Sequence, residues 1–178
     1  MQKRIAQRML RSASSQERPK KGVNLRGANQ IILVYTETDE RKFKLVKDIA
    51  VYLKKEYDIK RVMRFAYITG DEKSIPAWHM RKLESDFFCA SDLNWYDKPV
   101  KHVATHISEP YDILIQLVTD ASVVLDFFVA ESKAKMKVAN FSTNRSQDFD
   151  ILIPPQANDT WKQRNHRIME FIGDSPLT

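Results

Sequence analysis

The chain has 178 residues, enough for one domain with a sizeable core, and its 43% apolar and 29% charged residues are ordinary for a globular protein. No apolar run approaches the roughly 20 residues that cross a bilayer, and the single cysteine, Cys89, excludes an internal disulfide and a thiolate zinc cluster. The N-terminus also lacks the uninterrupted apolar segment of a secretory signal, so we expect a reducing, cytoplasmic location.

The net charge of +6 belongs to the N-terminal segment. Residues 1–30 carry eight Lys or Arg side chains and one acidic residue, a net +7, whereas residues 31–178 sum to −1. In the stretch MQKRIAQRMLRSASS, apolar residues recur at i,i+4 spacing among basic ones, which predicts a short basic amphipathic helix. We expect residues 1–28 to form a basic N-terminal arm and linker, and residues 29–178 to form a single α/β domain whose core pattern begins at Ile31.

The composition of the arm is compatible with several uses. Contact with a membrane surface, electrostatic binding of nucleic acid and a transit peptide all need basic, acid-poor helices. Docking on its own domain or on a neighbouring subunit is the further alternative, and we favour it because four apolar side chains give little membrane affinity. The near-neutral body adds no charge excess, so we expect nucleic acid to bind only weakly and non-specifically, through the arm.

Strands alternate with helices through the rest of the chain. A continuous apolar run rich in β-branched residues, typical of a strand buried on both faces, occupies residues 29–36. Further strands are predicted at residues 61–69, 86–91, 111–118, 135–140 and 148–153. Amphipathic patterns predict helices at residues 39–60, 121–132 and 160–172. This alternation predicts a three-layer α/β sandwich with a mostly parallel sheet of five to six strands, Rossmann-like or flavodoxin-like.

In open α/β sheets, ligands bind beyond the carboxyl ends of the strands. Polar or aromatic residues that the predicted elements bring to that edge form a candidate ligand-binding rim: Glu37, Asp92, Asn94, Trp95, Thr119, Asp120 and Asn140. Trp95 has two interpretations, because its ring can stack on a sugar or base, or fill the end of the core. No catalytic residue is assigned within this rim.

The first turn, YTETDERK, has no glycine where a dinucleotide fold needs close backbone approach to a pyrophosphate. Its acidic residues would repel phosphate, and the four glycines of the chain form neither a P-loop nor a GxGxxG motif. We therefore expect no nucleotide and no other cofactor. The same turn could hold Mg²⁺, as in receiver domains, but Asp39 or Thr38 capping the next helix is the simpler interpretation.

Two other chemical signals are weak. His102 and His106 stand four residues apart, with Glu109 as a potential third ligand, yet the pair lacks the glutamate of an HExxH motif. We expect a solvated helical turn there and no metal site. Cys89 lies in the apolar run DFFCA and is expected to be a small buried hydrophobe rather than a nucleophile.

The segments SDLNW…KP and YDILIQL…LDFFVAESKAKMKVA resemble an uncharacterised family of small bacterial α/β proteins, over about residues 25–172. That resemblance implies the fold and a cytoplasmic place but no activity. The second segment is also similar to the N-terminal acceptor half of the heptosyltransferase-type glycosyltransferases. Those enzymes place the sugar-nucleotide donor on a second Rossmann domain, which this chain lacks, so the likeness implies a degenerate half domain that has lost catalysis.

Two functional hypotheses follow. The first is a non-catalytic cytoplasmic domain that acts through protein contacts or self-association, with the basic arm as an attachment element. The second is a small enzyme or ligand sensor that uses Glu37, Asp92 and Asp120. A deep pocket that converges on those carboxylates would favour the second hypothesis.

We expect no measurable binding of NAD, ATP or a nucleotide sugar, because the first turn is acidic and has no glycine. A thermal-shift screen checks this, since a ligand at about 100 times its Kd stabilises a protein by about 2.7 kcal/mol. A clear rise in melting temperature with any nucleotide would contradict the prediction. Extended to metals and metabolites, the same screen tests the second hypothesis.

Overall fold

The computed structural model describes residues 2–14, 21–79, 81–117, 122–140 and 146–174. In chain order, these residues form α1 Gln2–Ser14, β1 Gln30–Glu37, α2 Glu40–Tyr57, β2 Arg61–Ile68, β3 Ser85–Phe88, α3 Val103–Ser108, β4 Ile113–Gln116, α4 Val123–Glu131, β5 Met136–Asn140, β6 Ile151–Ile153 and α5 Trp161–Asp174.

The six strands form one sheet in the order β3-β2-β1-β4-β5-β6, with every neighbouring pair parallel. The predicted α/β sandwich is therefore confirmed, and the order is that of a Rossmann fold rather than a flavodoxin. The chain reverses its direction of travel across the sheet between β1 and β4, where Ile31 pairs with Ile113 and Val34 with Gln116.

Helices cover both faces of the sheet. Alternate residues of β1 point to opposite sides: Ile31, Leu33 and Tyr35 join the cluster under α2 and α5, whereas Ile32 and Val34 join the cluster under α3 and α4. The continuous apolar runs of the sequence reflect this burial on both faces.

The strand β4 is shorter than predicted, and a side chain binds backbone groups just before it. The predicted strand 111–118 is paired only from Ile113 to Gln116. Just before it, the carboxylate of Asp112 accepts hydrogen bonds from the backbone N–H groups of Asn29 and Gln30, at 2.8 and 3.0 Å. This clamp ties the start of β4 to the start of β1.

Asp39 begins α2. Its Oδ1 accepts a hydrogen bond from the backbone N–H of Lys42 at 2.9 Å, and that bond is the main cause that lowers the pKa of the Asp39 carboxyl. The capping interpretation of the acidic first turn is thus correct, since the side chain satisfies an N–H group that the helix leaves unpaired.

The N-terminal helix adds a further layer outside α4. Ala6, Leu10 and Ala13 of α1 are buried against Phe127 and Ala130 of α4. None of the helices among the described residues is long and apolar enough to span a bilayer.

After α1, the chain enters the main core earlier than the apolar pattern indicates. Val23, Leu25 and Ala28 are buried in the cluster under α2 and α5. The expectation that the core begins at Ile31 is therefore wrong, because these three residues are too widely spaced to form a strand-like run. The division of the chain at residue 28 stays a prediction.

Deletion of residues 1–20 should leave a cooperatively folding protein whose free energy of unfolding is lower by about 2 kcal/mol, because the apolar contact between α1 and α4 is lost. Deletion of residues 1–28 should cost more, because Leu25 and its buried neighbours are also lost. Chemical denaturation of the three chains measures both effects.

A point substitution in full-length protein separates docking from other effects of truncation. Leu10→Ala should cost about 2 kcal/mol, whereas Met9→Ala, on the exposed side of the same helix, should change stability by less than about 0.5 kcal/mol. Equal effects of the two substitutions would show that α1 is not docked in solution.

Candidate functional site

The predicted rim is spread along the carboxyl edge of the sheet. Glu37 ends β1 and Asn140 ends β5, whereas Asp92, Asn94 and Trp95 follow β3 at the edge of the sheet. The strands β3 and β5 are four positions apart, about 19 Å at the usual strand spacing. Two further rim residues, Thr119 and Asp120, lie outside the described residues. The described members of the rim therefore do not converge on one point.

Glu37 is buried with His79, a residue that the sequence did not single out. Their side chains are 2% and 1% exposed, and Oε2 of Glu37 lies 3.1 Å from Nε2 of His79, at ion-pair distance but not aligned as a hydrogen bond. The imidazole is held between the rings of Phe43 and Phe87, at 5.0 and 5.4 Å between centroids. The pair fixes the loop between β2 and β3 onto the sheet.

Two more polar side chains complete this buried cluster. Burial raises the pKa of Tyr35, and the nearby carboxylate of Glu37 raises it further. Arg64 lies over the ring of Phe43, at 5.6 Å from its centroid. A buried carboxylate is costly unless polar or charged groups surround it, and the described group in contact with that of Glu37 is the imidazole of His79. No local sequence signal links these residues, because three separate elements supply them.

Asp92 stabilises a turn. Its Oδ2 accepts a hydrogen bond from the backbone N–H of Cys89 at 3.1 Å, and its Oδ1 lies 3.7 Å from Nδ1 of His102 and 3.8 Å from Nζ of Lys101. Cys89 itself is a buried free cysteine, in keeping with the small-hydrophobe interpretation.

The turn after β3 presents Trp95 to solvent. The Oδ1 of Asn94 accepts hydrogen bonds from the backbone N–H groups of Tyr96 and Lys98, at 3.1 and 3.0 Å. Tyr96 packs on Phe127, while Trp95 stands edge-on to Tyr96 and is 64% exposed. The interpretation that Trp95 fills the end of the core is therefore wrong, because Tyr96 takes the inward position.

Polar oxygens without partners occur where the strand order reverses. Thr36 Oγ1 and Gln116 Oε1, at the ends of the adjacent strands β1 and β4, are buried and accept or donate no hydrogen bond within the described part of the chain. Thr36 lies two residues after Val34, and Gln116 lies two residues after Leu114, and both of those belong to the cluster under α3 and α4. Because alternate residues of a strand share a face, Thr36 and Gln116 point to that same face of the sheet. Asn140 lies on the other face, where its Nδ2 donates to the carbonyl of Arg164 at 3.2 Å.

The two histidines that stand four residues apart, His102 and His106, contact different partners. His102 Nε2 lies 3.1 Å from the carbonyl of Phe87. His106 contacts Asp86 through Nε2 and the Tyr111 hydroxyl through Nδ1, at 3.1 and 3.2 Å. Within the described ranges, no group of three or more His, Cys, Asp or Glu side chains is placed to hold a metal ion.

The hydrogen bonds of His106 belong to a longer chain of contacts at the amino edge of the sheet. The Tyr111 hydroxyl donates to Glu109 Oε2 at 2.7 Å, and Arg61 pairs with the other oxygen of the same carboxylate. At the other end, Asp86 pairs with Arg81 at 3.3 Å. Because each polar group has a partner, the chain of contacts joins β2, β3 and α3 as a structural network.

Two grooves with mainly apolar linings lie on the α5 side, and the larger adjoins the rim residue Asn140, whose strand partner Ile153 lines it. The groove between α2 and α5 has a volume of about 270 Å³ and is lined mainly by apolar and aromatic side chains, among them Tyr52, Trp161 and Met169. The other, of about 570 Å³, is lined by Ile153, Pro154, Pro155, Gln156, Arg167, Glu170 and Phe171.

Residues 2–169, nearly the whole described chain, match one family. The chain belongs to DUF6913, a family of unknown function. The sequence-based resemblance to an uncharacterised family is thereby confirmed. No protein of curated function matches the chain significantly in sequence.

One solved structure with a similar fold is that of the heptosyltransferase WaaC of E. coli with ADP. The TM-score is 0.46 at 12% sequence identity, and the match covers 83% of this DUF6913 chain and 48% of the other. The chain thus spans about half the length of that enzyme.

The network around His106 predicts acid sensitivity. Burial opposes ionisation of Asp86 and Glu109, but hydrogen bonds from His106 to Asp86, and from Arg61 and Tyr111 to Glu109, outweigh it and hold both pKa values below their usual range. A carboxyl whose folded-state pKa is lowered contributes stability above its unfolded pKa of about 4, and that stability is lost as the pH falls through the folded-state pKa.

The double substitution Asp86→Asn and Glu109→Gln should lower the free energy of unfolding at neutral pH. It should also make that free energy fall less steeply below about pH 4 than in the unsubstituted protein. Urea unfolding of the DUF6913 protein and of the variant across the acid range measures how the free energy of unfolding changes with pH in each. If the two proteins lose stability in parallel, the carboxylates do not stabilise the fold through these contacts.

Proposed function

We propose that the chain is a non-catalytic cytoplasmic α/β domain that acts through protein contacts. The proposal rests on one observation: three residues of the predicted rim make structural contacts within the fold. Glu37 is buried with His79, Asp92 holds a turn, and Asn94 orders a loop. An active site instead needs polar groups that converge in an accessible pocket.

The contact surface that we favour is the α5–β6 face, formed by Ile153, Pro154, Pro155 and Phe171. Phe171 is 47% exposed, although it is large and apolar. Together with the two prolines, it lines the larger groove. Exposed apolar patches of this kind characterise protein interaction sites.

A second copy of the chain fits this face. In a two-fold dimer the same patch faces itself, so each copy must supply both members of any charge pair. The groove on the α5–β6 face is also lined by one basic and one acidic residue, Arg167 and Glu170. Within the chain, Arg167 pairs with Asp159 at 2.8 Å and Glu170 lies 3.3 Å from His166. A two-fold arrangement can therefore give each of them a further partner in the other copy. The outer edge of β6 offers backbone N–H and C=O groups to a second copy. Pairing of β6 with a strand of that copy is limited, because β6 has only three residues and two prolines follow it.

Sedimentation or light scattering over a dilution series should reveal a dimer of the full chain. Phe171→Asp should shift the protein to the monomer, because a buried, unpaired carboxylate at the centre of an apolar contact is costly. Val51→Asp, at a residue of α2 that is 43% exposed, is the matched control and should leave the dimer intact. A monomeric wild-type chain at every concentration, or a dimer that survives Phe171→Asp, would refute this surface.

The second candidate function, a small enzyme or ligand sensor, has one observation in its favour. Thr36 and Gln116 bring oxygens that have no hydrogen-bond partner among the described residues to the place where the strand order reverses, between β1 and β4. Ligands of open α/β sheets bind at such reversals. Two of the carboxylates in the sequence-based hypothesis do not support it, because Glu37 points to the opposite face and Asp92 binds the backbone of its own turn. A small polar metabolite that stabilises the protein in the thermal-shift screen would favour this candidate.

A further inference from the structure

Docking turns the basic side of α1 toward solvent. Ala6, Leu10 and Ala13 face α4, and a step of 100° per residue places Arg4, Arg8 and Arg11 on the opposite side. Lys3 lies on the flank of the docked side, seven residues before Leu10, and completes the four cations of α1. All four are exposed, and none forms an ion pair with another described residue. They span about 12 Å along the helix at 1.5 Å per residue, and α1 itself contains no acidic residue.

The charge is greatest at the N-terminal end of α1. Lys3 and Arg4 occupy the first turn, where the helix dipole already adds a partial positive charge and cations are unfavourable. Among the described residues, Asp97 brings one carboxylate to this end of the helix through a hydrogen bond from Gln2, and no ion pair neutralises Lys3 or Arg4. The first turn of α1 is therefore a place where an external anion relieves repulsion between like charges.

The turn that carries the exposed indole of Trp95 contacts this cationic end. Nε2 of Gln2 donates a hydrogen bond to Oδ2 of Asp97 at 3.3 Å, so the turn that carries Trp95 contacts the start of α1. Tyr96 packs into the cluster between α1 and α4, and Lys98 pairs with Glu131 of α4 at 2.6 Å. These contacts hold the turn against both helices, while Trp95 stays open to solvent.

We propose that α1 and Trp95 together form a binding surface for single-stranded nucleic acid. Proteins that bind single strands without sequence preference combine cations along the phosphate backbone with an aromatic ring on which a base stacks. The four α1 cations provide the first element and Trp95 provides the second. A duplex keeps its bases stacked inside, so it can use the cations but not the indole.

Two other anionic partners fit this surface less well. A membrane needs the apolar side of an amphipathic helix, and that side of α1 is buried against α4. An acidic peptide uses the cations but gains little from a flat exposed ring. The surface lies on the α4 side of the sheet, opposite the α5–β6 face, so the inference is independent of the proposed dimer.

Fluorescence anisotropy with full-length protein and a labelled oligouridine, in a salt series, tests the inference. We expect binding at low salt, with a slope of log affinity against log salt no steeper than about −3, at roughly 0.7 for each of four phosphates. A duplex of equal length should bind more weakly. Trp95→Ala should weaken single-strand binding by roughly tenfold to a hundredfold without changing the salt slope.

Matched variants identify the surface. Trp78→Ala removes another exposed tryptophan, 40% accessible in the loop between β2 and β3, and should have no effect. Arg8→Gln should reduce the salt slope, whereas Lys55→Gln, an equal change of charge on the exposed side of α2, should not. Phe171→Asp should leave binding unchanged even if it dissociates the dimer. Thermal melts confirm that each variant is folded.

Several outcomes would overturn the inference. The first is the absence of single-strand binding at low salt. The second is equal affinity for duplex and single strand with no loss in Trp95→Ala, which would leave only a non-specific cationic patch. The third is Trp95-dependent binding of phosphatidylserine vesicles or polyglutamate that equals or exceeds that of the oligouridine, which would assign the surface to a membrane or an acidic protein.

Discussion

The burial of β1 on both faces is the constraint on which the rest of the structure depends. From Ile31 to Tyr35 the side chains are almost completely excluded from water. A strand with no solvated face requires a helical layer on each side of the sheet, and parallel neighbours require crossover connections that supply those helices. The placement of β2 and β4 on either side of β1 creates the reversal of strand order, which is where such folds offer a ligand crevice.

The carboxyl edge of this sheet is stabilised by the polar residues that would otherwise mark a ligand site. Asp39 caps α2, Glu37 and His79 fasten a loop, and Asp92 closes a turn. Each is a polar group whose hydrogen-bonding or charge requirement the fold must meet. The same residue types serve catalysis in other proteins, so their presence at strand ends does not by itself distinguish a site from a scaffold.

The contact between α1 and α4 changes what the basic segment can do. Ala6, Leu10 and Ala13 are buried against Phe127, so this apolar side of the helix is not available to a bilayer. The same contact fixes the backbone positions from which the cations of α1 project. The same contact brings the turn of Trp95 next to the start of α1. The basic N-terminal segment thereby forms the proposed binding surface together with Trp95. This surface lies on the opposite side of the sheet from Phe171.

The sequence by itself determined the fold class and most of the elements, because continuous apolar runs and the helical stripe from Phe43 to Tyr57 depend on local periodicity. It also showed that the first turn contains no glycine, and the prediction that this turn does not bind a pyrophosphate rests on that absence. Only the tertiary structure decided the strand order, the burial of Val23 and Leu25, the pairing of Glu37 with His79, and the exposure of Trp95. Each of these depends on which distant elements meet, and contacts between residues such as Gln2 and Asp97 leave no periodic signal in the chain.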